Sequence, residues 1–180
     1  MQIEVAGCVI EACAGDITQQ ADCAAVVNAA NAWLTTGGGV AGAIHRAAGP
    51  GLEAECRPLA PIKPGQAVIT GGHNLPNRYV IHCLGPVYGR DEPAEQLLAD
   101  CYRNALRLAD GHGIDSVAFP AISTGVFGYP MDEAAAVAVR TVASEADRLQ
   151  HVRRIRFVLF GQEALDAHVR QLQRVGATQG

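Results

Sequence analysis

Two asparagines, three consecutive glycines and a histidine lie close together in residues 26–50 of the sequence. Asn28 and Asn31 close a short apolar run, Gly37-Gly38-Gly39 follow, and Val40 opens a helical pattern in which His45 sits one turn beyond Ala41. A glycine loop that feeds a helix start has the chemistry of an anion site. The first amides of a helix have no partner within it and carry partial positive charge. Glycines let a phosphate approach them with no Cβ in the way. Taken singly, Asn28 and Asn31 read as residues that satisfy local backbone groups, and His45 as a packing histidine.

A second loop, Ser123-Thr124-Gly125-Val126-Phe127-Gly128, has the same character. It is either an ordinary tight connection or a second phosphate cradle, with Phe127 available to cover a ribose or a base. Two such loops point to a diphosphate gripped from both sides. Asp16, in Gly15-Asp16-Ile17-Thr18, either caps its turn or accepts a hydrogen bond from an exocyclic amine such as that of adenine.

Other phosphate-binding chemistries fit less well. Residues 37–42 match G-x-G-x-x-G, but a dinucleotide fingerprint wants its first glycine directly after a strand. Here Asn31, Trp33 and two threonines intervene, and Glu53 and Glu55 fall in a helical stretch rather than at a strand end. A Walker loop is excluded because no Gly-Lys pair exists. The cysteines Cys8, Cys13, Cys23, Cys56, Cys83 and Cys101 are scattered without zinc spacing, so they read as buried reduced thiols. No metal and no cofactor is expected.

These residues need elements to hold them. Apolar runs predict strands at 9–14, 24–28, 67–70, 79–84, 116–120 and 155–160. Helical spacing predicts helices at 40–48, 52–59, 93–110, 131–149 and 163–175, with the last five residues frayed. The run at 24–28 does not alternate, which marks a strand buried on both faces. Alternating strands and helices call for an α/β layered fold with a largely parallel or mixed sheet. Ligands in such sheets sit outside the carboxyl ends of the strands. The turn at 15–18, the segment 28–42 and the turn at 121–130 each follow a predicted strand, so all three can meet in one crevice.

The bulk properties agree. With 180 residues, nearly half of them apolar, the chain reads as one domain over 1–180 with its core at about 8–175. A net charge of −4 argues against a broad nucleic-acid footprint but leaves amide-bound phosphate open. Neither a signal peptide nor a long apolar span is seen, so no membrane partner and a cytoplasmic location are expected.

Together the segments resemble the macrodomain family, in particular its MacroD-type branch with bacterial ADP-ribose-processing members. The resemblance is carried by Gly15-Asp16-Ile17-Thr18, Val27-Asn28-Ala29-Ala30-Asn31, Gly37-Gly38-Gly39-Val40 and residues 42–50. It continues through Tyr79-Val80-Ile81-His82 with Gly85-Pro86 and residues 116–130, all in the family's order. It implies a three-layer α/β/α fold with a mixed, largely parallel sheet and a deep ADP-ribose cleft. Asp16 and Ile17 would lie near adenine. Gly37, Gly38, Gly39 and Val40 would face the diphosphate from one side, and Ser123, Thr124, Gly125, Val126 and Phe127 from the other. Asn28 joins this binding set. Phe127 would lie beside the distal ribose, Asn31 would hold that ribose and help position water, and His45 would lie nearby. The implied reactions remove ADP-ribose from acidic protein side chains and deacetylate O-acetyl-ADP-ribose, both by attack of water on an ester of the distal ribose. ADP-ribosylated protein, O-acetyl-ADP-ribose and nucleic-acid ends carrying ADP-ribose are the implied partners.

One position departs from the family. The MacroD pattern reads G-G-G-V-D-G, and its aspartate orients or deprotonates the water; here the position is Ala41. Loss of a general base lowers a rate by ~10²–10⁴-fold. Binding through backbone amides survives such a loss. Three readings stand side by side: an engineered substitution, a natural variant that orients water with Asn31, His45 or a ligand phosphate, and a natural reader that binds without turnover.

Overall fold

The computed structural model describes residues 1–179. Its first hairpin joins β1 (Gln2–Val5) to β2 (Cys8–Ala14) through Ala6-Gly7. Both turn residues have positive φ, 51° and 80°, the conformation that matches the twist of a two-residue hairpin. Next come β3 (Ala25–Ala29), α1 (Gly39–Ala48), α2 (Pro50–Cys56), β4 (Ala67–Gly71) and β5 (Tyr79–Cys83). The chain ends with α3 (Ala94–Gly111), β6 (Ser116–Phe119), α4 (Met131–Glu145), β7 (Arg154–Leu159) and α5 (Gln162–Gln179).

The seven strands form one sheet in the order β1-β2-β7-β6-β3-β5-β4. The five inner strands are parallel, and each edge strand, β1 and β4, is antiparallel to its neighbour. Alternate residues of an inner strand point to opposite faces. On β3, Val27 joins the core under α3, α4 and α5, whereas Val26 joins the core under α1 and α2. Both faces are covered, as expected for a mixed three-layer α/β/α fold.

Several boundaries differ from the sequence reading. Strand β1 was not expected: its Gln-Ile-Glu-Val alternates polar and apolar, but it is only four residues long. It supplies an edge for the C-terminus: Gly176 packs on Ile3, where a Cβ would come within 3.2 Å of its Cγ2. The last helix therefore continues past Val175 to Gln179 instead of fraying, and Gly180 lies outside the described residues. The helix expected at 52–59 begins at Pro50, which suits a first turn, and ends at Cys56 in a 3₁₀ turn (Arg57–Leu59). The helix expected at 131–149 ends at Glu145 in a similar turn.

Two interior features hold the strand exits in place. Tyr102 is buried against Phe119 and Phe157, with ring centroids 5.0 and 6.2 Å away. Its hydroxyl accepts from the Ile122 amide at 3.3 Å and donates to the Pro120 carbonyl at 3.4 Å, fixing the chain as it leaves β6. On the other face, Arg156 of β7 pairs with Glu11 and Asp22 and donates to Gln20 at 3.0 Å. Gln20 in turn donates to the Asp16 carbonyl at 2.8 Å, which fixes the turn after β2.

Three histidines are buried within this fold: His45 on α1, His82 on β5 and His168 on α5. Burial lowers the pKa of all three, and takes His82 from 6.5 to about 3, with neighbouring His45 adding to the effect. Between those two values the unfolded chain takes up protons that the folded chain refuses, so stability falls as pH falls. Each histidine that stays neutral contributes a slope of roughly 1.4 kcal/mol per pH unit below the unfolded value. Urea unfolding measured from about pH 7 to about pH 5, above the carboxylate range, is expected to show this loss. His82→Gln is expected to flatten it by one proton. Stability independent of pH across that window would contradict the assignment of neutral buried histidines.

Candidate functional site

The parallel strands all point one way, so the turns after β2, β3, β6 and β7 gather at one edge of the sheet. They enclose a cleft with two chambers. The larger, about 730 Å³, is walled by Asp16 and Ile17, by Gly39, Val40 and Ala43 at the start of α1, by Thr124 and Gly125, and by Val158 and Phe160. The smaller, about 260 Å³, is walled by Ala29 and Ala30, Gly38, Gly39 and Val40, Gly85, and residues Ser123, Val126 and Phe127. Gly39, Val40, Ala121 and Gly125 line both chambers and form the waist between them.

The waist is a field of unused amides. Gly42 makes the first bond of α1, donating to the Gly38 carbonyl at 3.1 Å. The amides at 37–41 have no acceptor among the described residues. Across the waist, the loop is braced by its own backbone: Tyr129 donates to Ser123 at 2.9 Å and Gly128 to Gly125 at 3.0 Å. The amides of Ser123, Gly125, Val126 and Phe127 are left without acceptors among the described residues. Ser123 adopts φ 69°, and its buried hydroxyl also has no partner.

The electrostatics favour an anion bound by backbone. Helix α1 is capped by Gly38 with no side-chain bond and has no acid in its first turn, whereas α4 carries Asp132 and Glu133 there. Its positive end is therefore not neutralised. Among the described residues that wall the two chambers, no lysine or arginine occurs and Asp16 is the one charged side chain. Asp16 Oδ1 accepts from the Thr18 amide at 2.9 Å and the Thr18 hydroxyl at 2.7 Å. Those bonds, the hydroxyl first, hold the carboxyl below its ordinary pKa. The turn-capping role thus uses one oxygen, and the second makes no hydrogen bond among the described residues.

Two glycines permit this closeness. A Cβ at Gly42 would overlap the Gly37 carbonyl oxygen and lie 2.9 Å from Arg46 Nη1. A Cβ at Gly85 would overlap the Ser123 hydroxyl and lie 2.6 Å from Ile122 Cγ2. Each glycine lets one rim of the cleft rest against its support.

The structure brings ten of the residues singled out in the sequence onto these walls: Asp16, Ile17, Gly38, Gly39, Val40, Ser123, Thr124, Gly125, Val126 and Phe127. Gly37 lies just outside, exposed at the loop. Four others are not among the residues that wall the chambers. Asn31 closes a local turn, its Oδ1 accepting from the Trp33 and Thr35 amides at 3.1 Å and its Nδ2 donating to the Thr35 carbonyl at 3.0 Å. Asn28 is fully buried, with Nδ2 3.1 Å from His82 Nδ1 and Oδ1 unpartnered. Ala41 is 6% exposed, in the first turn of α1. His45, one turn later, is buried with its ring 6.5 Å from that of His82, and its Nε2 has no partner. Phe160 and Gly85 were not foreseen as site residues. Phe160 directly follows β7 and is 96% exposed beside the larger chamber, a placement that an aromatic at a strand exit could have signalled.

The sequence profile of the Macro domain family matches residues 27–138. The chain belongs to the macrodomain family. An O-acetyl-ADP-ribose deacetylase of Klebsiella pneumoniae is 49% identical to it, over 88% of this chain and 93% of that protein. Among solved structures, the Oceanobacillus iheyensis macrodomain with ADP superimposes with a TM-score of 0.94 at 37% identity, covering 99% of this chain and 97% of that one. A Trypanosoma brucei macrodomain in complex with ADP-ribose gives a TM-score of 0.81 at 38% identity, covering 93% and 69%. Both sequence and fold thus set the two-chambered cleft in a macrodomain.

Proposed function

We propose that this macrodomain holds ADP-ribose across the two chambers and hydrolyses esters of its distal ribose. The observation that carries the reading is the waist, where two loops rich in amides without acceptors line one gap with no basic side chain. A diphosphate suits such a gap, because backbone amides supply charge-assisted hydrogen bonds. Adenine then fills the larger chamber between Ile17 and Phe160, with its exocyclic amine donating to the free oxygen of Asp16. The distal ribose fills the smaller chamber beside Phe127 and Ser123. Water attacks the ester carbonyl, the ribose oxygen leaves, and the acid is released, either acetate or a protein carboxylate. The named deacetylase relative and the ADP-ribose-bound relative support this substrate class. Six unpaired cysteines suit a reducing, cytoplasmic setting.

Ala41 favours a second reading, a macrodomain that binds ADP-ribose without turnover. No carboxylate stands at the start of α1, and Asn31 is held by its own turn. Calorimetric titration with ADP-ribose tests the shared part: saturable binding is expected, and none at millimolar ligand would overturn both readings. Hydrolysis of O-acetyl-ADP-ribose separates them. Turnover well above that of an Asn31→Ala control rules out the silent reader, and turnover no faster than the reaction without protein rules out the hydrolase.

A further inference from the structure

A second groove, about 630 Å³, adjoins the smaller chamber through a single loop. The Tyr88 amide donates to the Phe127 carbonyl at 2.8 Å, which pins the segment carrying Tyr88 to the loop whose Phe127 walls the chamber and whose Tyr129 lines the groove. The rings of Tyr88 and Tyr129 lie 4.8 Å apart, and Tyr88 is 45% exposed. Around them stand Glu92, Glu95 and Glu133, with Tyr88 Oη donating to Glu133 Oε2 at 3.4 Å. Among the described residues that line the groove, Arg140 is the one cation, 3.7 Å from Glu95. Three acids against one base leave it net negative. The field reaches its floor: burial first, then the Glu95 and Glu133 carboxylates, push the Tyr129 phenol up.

This place in the molecule matters because of what must pass it. With the distal ribose in the smaller chamber, a polypeptide attached through that ribose leaves the cleft at the Phe127 end, where the groove begins. Carboxylates beside the exposed ring of Tyr88 attract an ammonium or guanidinium by charge and through the ring face. We propose that the groove seats a basic segment of the ADP-ribosylated protein, with lysine or arginine residues flanking the modified side chain. The proposal rests on the cleft holding ADP-ribose. The same acidity repels a phosphodiester chain, so it disfavours nucleic-acid ends as the attached group.

Binding of three ligands tests it, each attached through a non-hydrolysable link: ADP-ribose on a lysine-rich peptide, on a glycine-serine peptide, and on a short oligonucleotide, with free ADP-ribose alongside. The lysine-rich conjugate is expected to bind about tenfold tighter than the glycine-serine one, as a few rim charge pairs allow, and to lose that margin at high salt. Glu95→Lys with Glu133→Lys is expected to abolish or invert the preference while free ADP-ribose binds as before. The milder pair Glu95→Gln with Glu133→Gln, which keeps side-chain shape, is expected to reduce it. Equal affinity for the two peptides, or tightest binding of the oligonucleotide, overturns the proposal while leaving ADP-ribose binding intact. Failure of free ADP-ribose to bind the unaltered chain overturns the functional reading and the groove's role together.

Discussion

Ala41→Asp is expected to raise the rate of ester hydrolysis by about 10²–10⁴-fold, the range that a positioned general base supplies. Position 41 lies in the first turn of α1, beside the unused amides at the waist. A carboxylate at a helix N-terminus is stabilised in its charged form, so it is ready to accept a proton or orient a water at neutral pH. Residues four apart on a helix share a face, so His45, with its unpartnered Nε2, is on the side that a position-41 carboxylate can address. At present a buried methyl group occupies that place, and burial keeps His45 below its ordinary pKa.

The same substitution makes an opposite prediction for binding. A new negative charge near a diphosphate costs on the order of 1 kcal/mol at 4 Å in water. ADP-ribose affinity is therefore expected to stay similar or weaken a few-fold while turnover climbs. Single-turnover hydrolysis of O-acetyl-ADP-ribose and calorimetry on the same preparations separate the two effects. Activity of the variant is expected to fall as its carboxylate protonates in acid, a limb that the unaltered chain lacks. Unchanged turnover would show that a carboxylate at this position is not the missing part.

Most of this architecture was legible because it is written in local patterns. The non-alternating run on β3 identified a central strand, and the glycine loops that follow β3 and β6 marked two sides of the cleft. Less legible were features that depend on distant partners. Strand β1 is only four residues long and is held by pairing with β2, while the end of α5 packs Gly176 on Ile3. The family resemblance implied that His45 and Asn31 lie near the ribose, but could not show that His45 turns inward towards His82 or that the Asn31 amide is taken up by Thr35. The acidic groove was invisible for the same reason: Tyr88, Glu92, Tyr129 and Glu133 come from separate stretches and meet only in the fold.

Gly42→Ala isolates the waist from the rest of the molecule. By helix propensity alone, alanine stabilises a helix interior by about 1 kcal/mol over glycine. Here its Cβ would overlap the Gly37 carbonyl, so one of the two segments must move. Helix α1 is anchored by fully buried Ile44 and by Ala48, whereas Gly37, Gly38 and Gly39 are exposed. The loop is the part that yields, and its amides swing away from the diphosphate. Hydrogen bonds to a charged group contribute about 1.5–3 kcal/mol each, so losing two costs about 3–6 kcal/mol. That corresponds to an affinity loss of roughly 10²–10⁴-fold. The melting temperature is expected to change little, because the propensity gain offsets the local strain and the core under α1 is untouched. Calorimetry and thermal melting of the same variant read the two quantities separately. ADP-ribose affinity that holds within a few-fold would mean that the first glycine loop does not grip the diphosphate. Binding and stability lost together would mean that the helix, not the loop, gave way. Binding lost from a chain that melts normally is the outcome that assigns the phosphate contacts to the amides of the 37–41 loop.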